Sequence, residues 1–244
     1  MKKLFCLLLS ALLLISLCGC VPNTGNLRGE IETPSSSEDL RGEVQTPSSS
    51  ENISDDDETP PTTSEPVLSL GKTENNRYHN DYFGVSCTLP SDWFFYTDEE
   101  IRELNNFTMD SLDEDFAENL KNATIIYDMF AKTPNGFNFT NITMEKLTPL
   151  QVLTSDLKTA LESQFPTLES SYANMGYTNI QTAYQKVTVD GKEYDGMKLT
   201  AQLQGIDFYV VSICYLKKSY LVSVSVASLV TDDTDTLLSY YTIS

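Results

Sequence analysis

The feature that most constrains this chain is where its aromatic side chains lie. It has 244 residues with 13 Tyr, 11 Phe and one Trp, and apart from Phe5 every one of them falls at Tyr78 or later. Proline runs the other way, with six of ten before residue 78. A chain cannot offset the entropy of ordering without large apolar groups to bury. A folded unit is therefore predicted over 78–244, long enough for one sizeable core. Charge narrows the function classes. Sixteen Lys and Arg against 35 Asp and Glu give −19, which argues against nucleic acid and against a basic patch on anionic lipid.

The first residues form a separate unit. Lys2 and Lys3 precede an almost unbroken apolar run from Leu4 to Leu17. That is the length of a signal-peptide core and short for a spanning helix. Leu17-Cys18-Gly19-Cys20 follows and resembles the bacterial lipobox. The resemblance implies a signal peptide at 1–19, removed on processing, and a diacylglycerol on the thiol of Cys20, with no other cofactor. Two acyl chains hold a protein firmly to a membrane where one is marginal. The expected place is the outer face of the cytoplasmic membrane of a bacterium.

Residues 20–77 read as a tether. Leu27-Arg-Gly-Glu30 returns as Leu40-Arg-Gly-Glu43 within a thirteen-residue tandem repeat carrying Thr-Pro-Ser-Ser-Ser-Glu. So short a period with no apolar face is a low-complexity spacer, not a stacking repeat. From 21 to 77 there are four cations and twelve anions, so the spacer is expected to be disordered and self-repelling. Asp55 to Glu58 lack the glycine and glutamate spacing of an EF-hand loop.

The remainder alternates strand and helix periods. Strands are predicted at Phe83–Pro90, Trp93–Tyr96, Ala123–Lys132 and Phe137–Lys146. Four more follow at Thr178–Val189, Tyr194–Gln204, Ile206–Leu216 and Tyr220–Leu229, with turns at Asp190-Gly191, Gly205 and Lys217-Lys218. Thr97 and Glu100 have capping-box spacing for a helix, and Leu112, Phe116 and Leu120 mark another across 110–121. A long helix should open at Thr148-Pro149 and run, kinked at Pro166, to a cap at Gly176. A last helix is expected from Asp232 to Tyr241. Phe208–Leu216 is apolar on both faces and so calls for cover on both sides. The predicted class is α+β: a largely antiparallel sheet of about six strands with helices on both faces, an α/β/α sandwich. A two-layer version is the alternative.

Asn80, Phe83-Gly84, the strand to Leu89-Pro90 and Trp93 together resemble the opening of PsbP-like domains and of many bacterial lipoproteins with that sandwich. The resemblance covers about residues 78–96. It implies a non-catalytic binding or assembly fold and transfers no functional residue.

Chemistry-bearing constellations are thin. His79 is the one histidine, with no flanking ligands for a metal and no relay partner. No Gly-x-Ser-x-Gly elbow occurs, and Ser155 to Lys158 read as amphipathic patterning within a helix. Asp113, Glu114, Asp115 and Glu118 form an acidic helix face, and Asp232, Asp233 and Asp235 suit a helix N-terminus. No metal site is expected. Cys87 and Cys214, outside the membrane, either pair in a disulfide or stay buried as free thiols. Asn106, Asn122, Asn138 and Asn141 match glycosylation sequons, read as accidents of composition. Three functions stay open: a tethered, non-enzymatic module binding an envelope protein or small ligand; a secreted hydrolase using two carboxylates; and an assembly subunit of an envelope complex.

Overall fold

The computed structural model describes residues 68–106, 125–154 and 156–244. The signal peptide, Cys20, the tandem repeat, the 110–121 helix with its acidic face, Ser155 and Asn122 lie outside these residues. What is described is mixed α/β, with two sheets in which every strand pairing is antiparallel.

The smaller sheet has the order β1-β2-β3-β11. Its strands are β1 (Lys72–Glu74), β2 (Arg77–Asn80), β3 (Val85–Thr88) and, from the far end of the chain, β11 (Tyr241–Ile243). Gly84 stands in the turn before β3 at φ 68°. Glycine reaches this region without penalty, and a Cβ there would lie 2.7 Å from the Ser244 carbonyl oxygen.

The larger sheet has seven strands, not about six, in the order β4-β5-β6-β10-β9-β8-β7. These are β4 (Phe94–Phe95), β5 (Ile125–Lys132), β6 (Asn138–Lys146), β7 (Thr178–Val189), β8 (Lys192–Leu203), β9 (Ile206–Lys217) and β10 (Tyr220–Leu229). The last four follow from tight left-handed turns. Asp190 and Gly191 take φ of 49° and 75°, and Gln204 and Gly205 take 53° and 83°, the geometry that matches strand twist in two-residue hairpins.

Strand alternation divides the core. Val222, Val224 and Val226 of β10 share a cluster with Ile142 and Met144 of β6 and with Tyr78, Val85, Cys87, Tyr241 and Ile243 of the smaller sheet. The smaller sheet thus meets one face of the larger. On the other face Phe139, Val210 and Ala227 cluster with Ile101, Leu168 and Tyr172. Those three come from helices α1 (Asp98–Asn106) and α4 (Phe165–Asn174). A smaller group on that face joins Leu147, Cys214 and Leu221 to Leu161 of α3 (Leu157–Glu162). Both faces of β9 and β10 are covered, as the apolar run at 208–216 required. The polar face of β10 is covered too: Ser223 and Ser225 are each 2% exposed.

Several boundaries move. Regular structure is already present before Tyr78, because Leu68 and Leu70 pack on the core and β1 pairs with β2 through its backbone, which aromatic density does not register. The long helix from Pro149 is three: α2 (Pro149–Thr154), α3 and α4. Asp156 caps α3 through its side chain, so Asp156 to Lys158 open a helix and do not lie in the interior of one. Pro166 lies in the first turn of α4, where a missing N–H costs nothing, so it opens a helix and kinks none. The last helix, α5 (Thr234–Leu238), is followed by β11. The disulfide reading fails. Cys87 and Cys214 are both free and buried, and they belong to clusters on opposite faces of the larger sheet.

Candidate functional site

A two-residue β4 leaves most of the β5 edge unpaired, and side chains take the place of the missing strand. Beyond Ala131 and Lys132, which pair with β4, the Tyr96 N–H donates to the Phe130 carbonyl at 2.8 Å. Next comes Asn105 of α1, fully buried. Its amide donates to the Tyr127 carbonyl at 2.7 Å and accepts from the Tyr127 N–H at 2.8 Å. The capping box places α1: Glu100 N–H donates to Thr97 Oγ1 at 3.2 Å, and Thr97 N–H donates back to Glu100 Oε2 at 2.8 Å. Ile101 and Asn105, one turn apart, then face the strand.

The register of β5 against β6 breaks between Tyr127 and Met129, and this bulge turns out Asp128. Its carboxylate is 4% exposed and accepts three hydrogen bonds: from Gly71 N–H at 2.6 Å, from Asn80 Nδ2 at 2.8 Å and from the Tyr78 hydroxyl. Burial pushes the Asp128 carboxyl up to about 6, against the opposing pull of these donors, and lifts the Tyr78 phenol well above its usual range. Asp128, Gly71, Ile101 and Arg102 line a cleft of about 200 Å³.

A second buried carboxyl lies across the sheet. Glu145 of β6 is 2% exposed, burial pushes it up to about 7, and Oε2 has no hydrogen-bond partner. It stands level with Leu221, on the face turned toward the helices. Beside it runs a polar row: Thr143 opposite Ser223, Ser223 opposite Cys214, Cys214 opposite Asp195 and Asp195 opposite Lys186. Asp128 and Glu145 therefore serve opposite faces and do not converge. Burial also raises both thiols, Cys87 to about 12 and Cys214 to about 11, away from the thiolate form a nucleophile needs.

A larger concavity lies elsewhere. The outward face of the smaller sheet forms an open trough of about 810 Å³, lined by Glu74, Arg77, His79, Ser86, Thr88 and Thr242 among others. His79 is thus on a strand, level with Ser86 and Lys72. No group of three metal-binding side chains occurs among the described residues. Asp232 instead pairs with Lys198 at 2.5 Å and accepts from Thr234, Asp233 occupies the N-cap position of α5, and Asp235 lies in its first turn. Of the sequons, Asn141 is 1% exposed within β6.

No protein-family profile matches the chain, and no curated protein does. Among solved structures it is similar to a cyanobacterial PsbP (CyanoP) from Synechocystis sp. PCC 6803, determined in solution. Identity is 12%, the match covers 73% of this chain and 99% of that one, and the TM-score is 0.44. A likeness of that size leaves fold and function to be argued from the chain itself. Among the described residues no helix is long and apolar enough to cross a membrane.

Sequence reasoning passed over Asp128, Glu145 and Asn105. The signal was there for the first: one acid inside the apolar run Ile125-Ile-Tyr-Asp-Met-Phe130. A charge in such a run is buried with partners or marks a bulge.

Proposed function

We propose that this protein is an extracytoplasmic lipoprotein, anchored through diacylglycerol on Cys20. Its folded domain serves as a binding module for an envelope protein or small ligand, without catalysing a reaction. The anchor rests on the Leu17–Cys20 motif after an apolar run of signal-peptide length, and the spacer on the acidic repeat that follows. The observation that carries the binding reading is the trough on the smaller sheet. It gathers donors and acceptors from four strands, with Arg77 and His79 among them. A rigid sheet presents such groups at little entropic cost.

Two experiments test the reading. Labelled palmitate should enter the wild-type chain and not Cys20→Ala, which should shift to the soluble fraction. A photocrosslinking side chain at Ser86 or Thr242 should capture a discrete envelope component in cells, whereas one at Asn135, in the turn between β5 and β6, should not. Equal labelling of wild type and Cys20→Ala removes the anchor. Equal capture from trough and turn removes the binding face.

The assembly-subunit reading has its own support. Phe94, Phe137 and Ile206 are 58%, 48% and 46% exposed, spread along the same end of the larger sheet, on β4, the β5–β6 turn and the start of β9. Exposed apolar groups placed in this way suit a protein interface.

A further inference from the structure

The two edges of the larger sheet are treated differently. At the β5 edge, β4, Tyr96 and Asn105 take up the backbone groups in turn. At the opposite edge stands β7, twelve residues long and paired on one side with β8. Among the described residues no hydrogen bond reaches its outward backbone groups. Folded proteins blunt such edges with prolines, inward charges, bulges or very short strands. β7 has one bulge at its start, where Asn179 takes φ 51° and the register shifts between Thr178 and Gln181. From Gln181 to Val189 the pairing is unbroken. That stretch holds no proline and one charge, Lys186, which is already paired with Asp195 at 2.9 Å. Thr182, Tyr184, Val187, Thr188 and Val189 lie along it, residue types that favour strand pairing.

We propose that β7 pairs antiparallel with β7 of a second copy of this chain, joining two seven-stranded sheets into one across a two-fold axis. The midpoint of the regular stretch is Gln185. Pairing about it sets Gln185 opposite itself, Lys186 opposite Tyr184 and Ala183 opposite Val187. Every pair then joins residues of like parity, so each sheet face continues into its counterpart. The charges also fit. Tyr184 donates to Asp195 at 2.6 Å, so each Lys186 ammonium comes to face the partner subunit's Tyr184 and the carboxylate behind it. Within the cross-strand pairs no like charges stand opposite each other, the arrangement that would destabilise them; the nearest other cation is Lys158, which lies over the Tyr184 ring on the helix side, 5.1 Å from its centroid. An identical edge matches this one in length, polarity and charge, and these matches select a second copy over an unrelated peptide. The symmetry is that of the commonest dimers.

The test uses the full chain, purified in detergent. Wild type should sediment as a dimer. Gln185→Cys should form a covalent dimer on mild oxidation at least ten times faster than Asn135→Cys, because only the former places two thiols across the axis. Gln185→Lys, which opposes two ammonium groups, should weaken dimerisation at least tenfold while leaving the unfolding midpoint in place at concentrations where both chains are monomeric. A chain that sediments as a monomer at every concentration overturns the proposal. So does a dimer in which Gln185→Cys crosslinks no faster than Asn135→Cys.

Discussion

Asp128 and Glu145 are both buried acids, yet their environments differ in kind. Asp128 has three donors and no spare capacity among its neighbours, so it acts as a clamp tying Gly71, β2 and the β5 bulge together. Asp128→Ala orphans three donors inside the protein and should cost about 3 kcal/mol, read as a lowered urea midpoint. Glu145 has no such compensation at Oε2. Both acids bind protons more tightly folded than unfolded, so each favours folding most at pH values below its ordinary carboxyl range. Stability should fall as pH rises through about 6 for Asp128 and about 7 for Glu145. Glu145→Gln removes the second effect. It should raise stability at pH 8 by about 3 kcal/mol relative to wild type and leave pH 4 nearly unchanged, in urea titrations at the two pH values. Val230 is the backbone counterpart: exposed, β-branched and held at φ 73° by its N–H bond to the Asp207 carbonyl. Such a residue in the left-handed region is strained, so Val230→Gly should stabilise the domain by about 1 kcal/mol.

At the scale of elements, what local chemistry dictates was legible and what distant pairing dictates was not. The capping box at Thr97 and Glu100 could be read from four residues, and it forms. Thr97→Ala should cost about 1 kcal/mol by thermal denaturation. The hairpins from Thr178 to Leu229 could be read because Asp190-Gly191 and Gly205 announce their turns. The helix from Pro149 was overextended because leucine spacing continues through Asp156 and Gln164, while the capping of Asp156 and the restart at Phe165-Pro166 interrupt the backbone. β11 went unseen because a three-residue strand carries no period of its own. Its pairing with β3 is decided some 150 residues away. The 810 Å³ trough was invisible for the same reason, since it exists only once β11 has joined β1, β2 and β3.

For the molecule as a whole, the apolar run along both faces of β9 foretold a sheet covered on both sides. The second sheet that supplies one of those covers had no local signature. Two thiols lie in the core on opposite faces of the larger sheet. A thiol reagent should therefore leave Cys87 and Cys214 unmodified in native protein and label both in denaturant, and mass spectrometry should find no link between them.

The placement of β11 also sets a timetable. Tyr78, Cys87 and Tyr241 stand level across three neighbouring strands, and the Tyr241 hydroxyl reaches Thr140 at 2.5 Å. Until synthesis has passed residue 243 the interior lacks one wall, and β3 offers a bare margin. A growing chain of this design keeps an unpaired strand edge until that point, so covering β3 is the last step in assembling the smaller sheet.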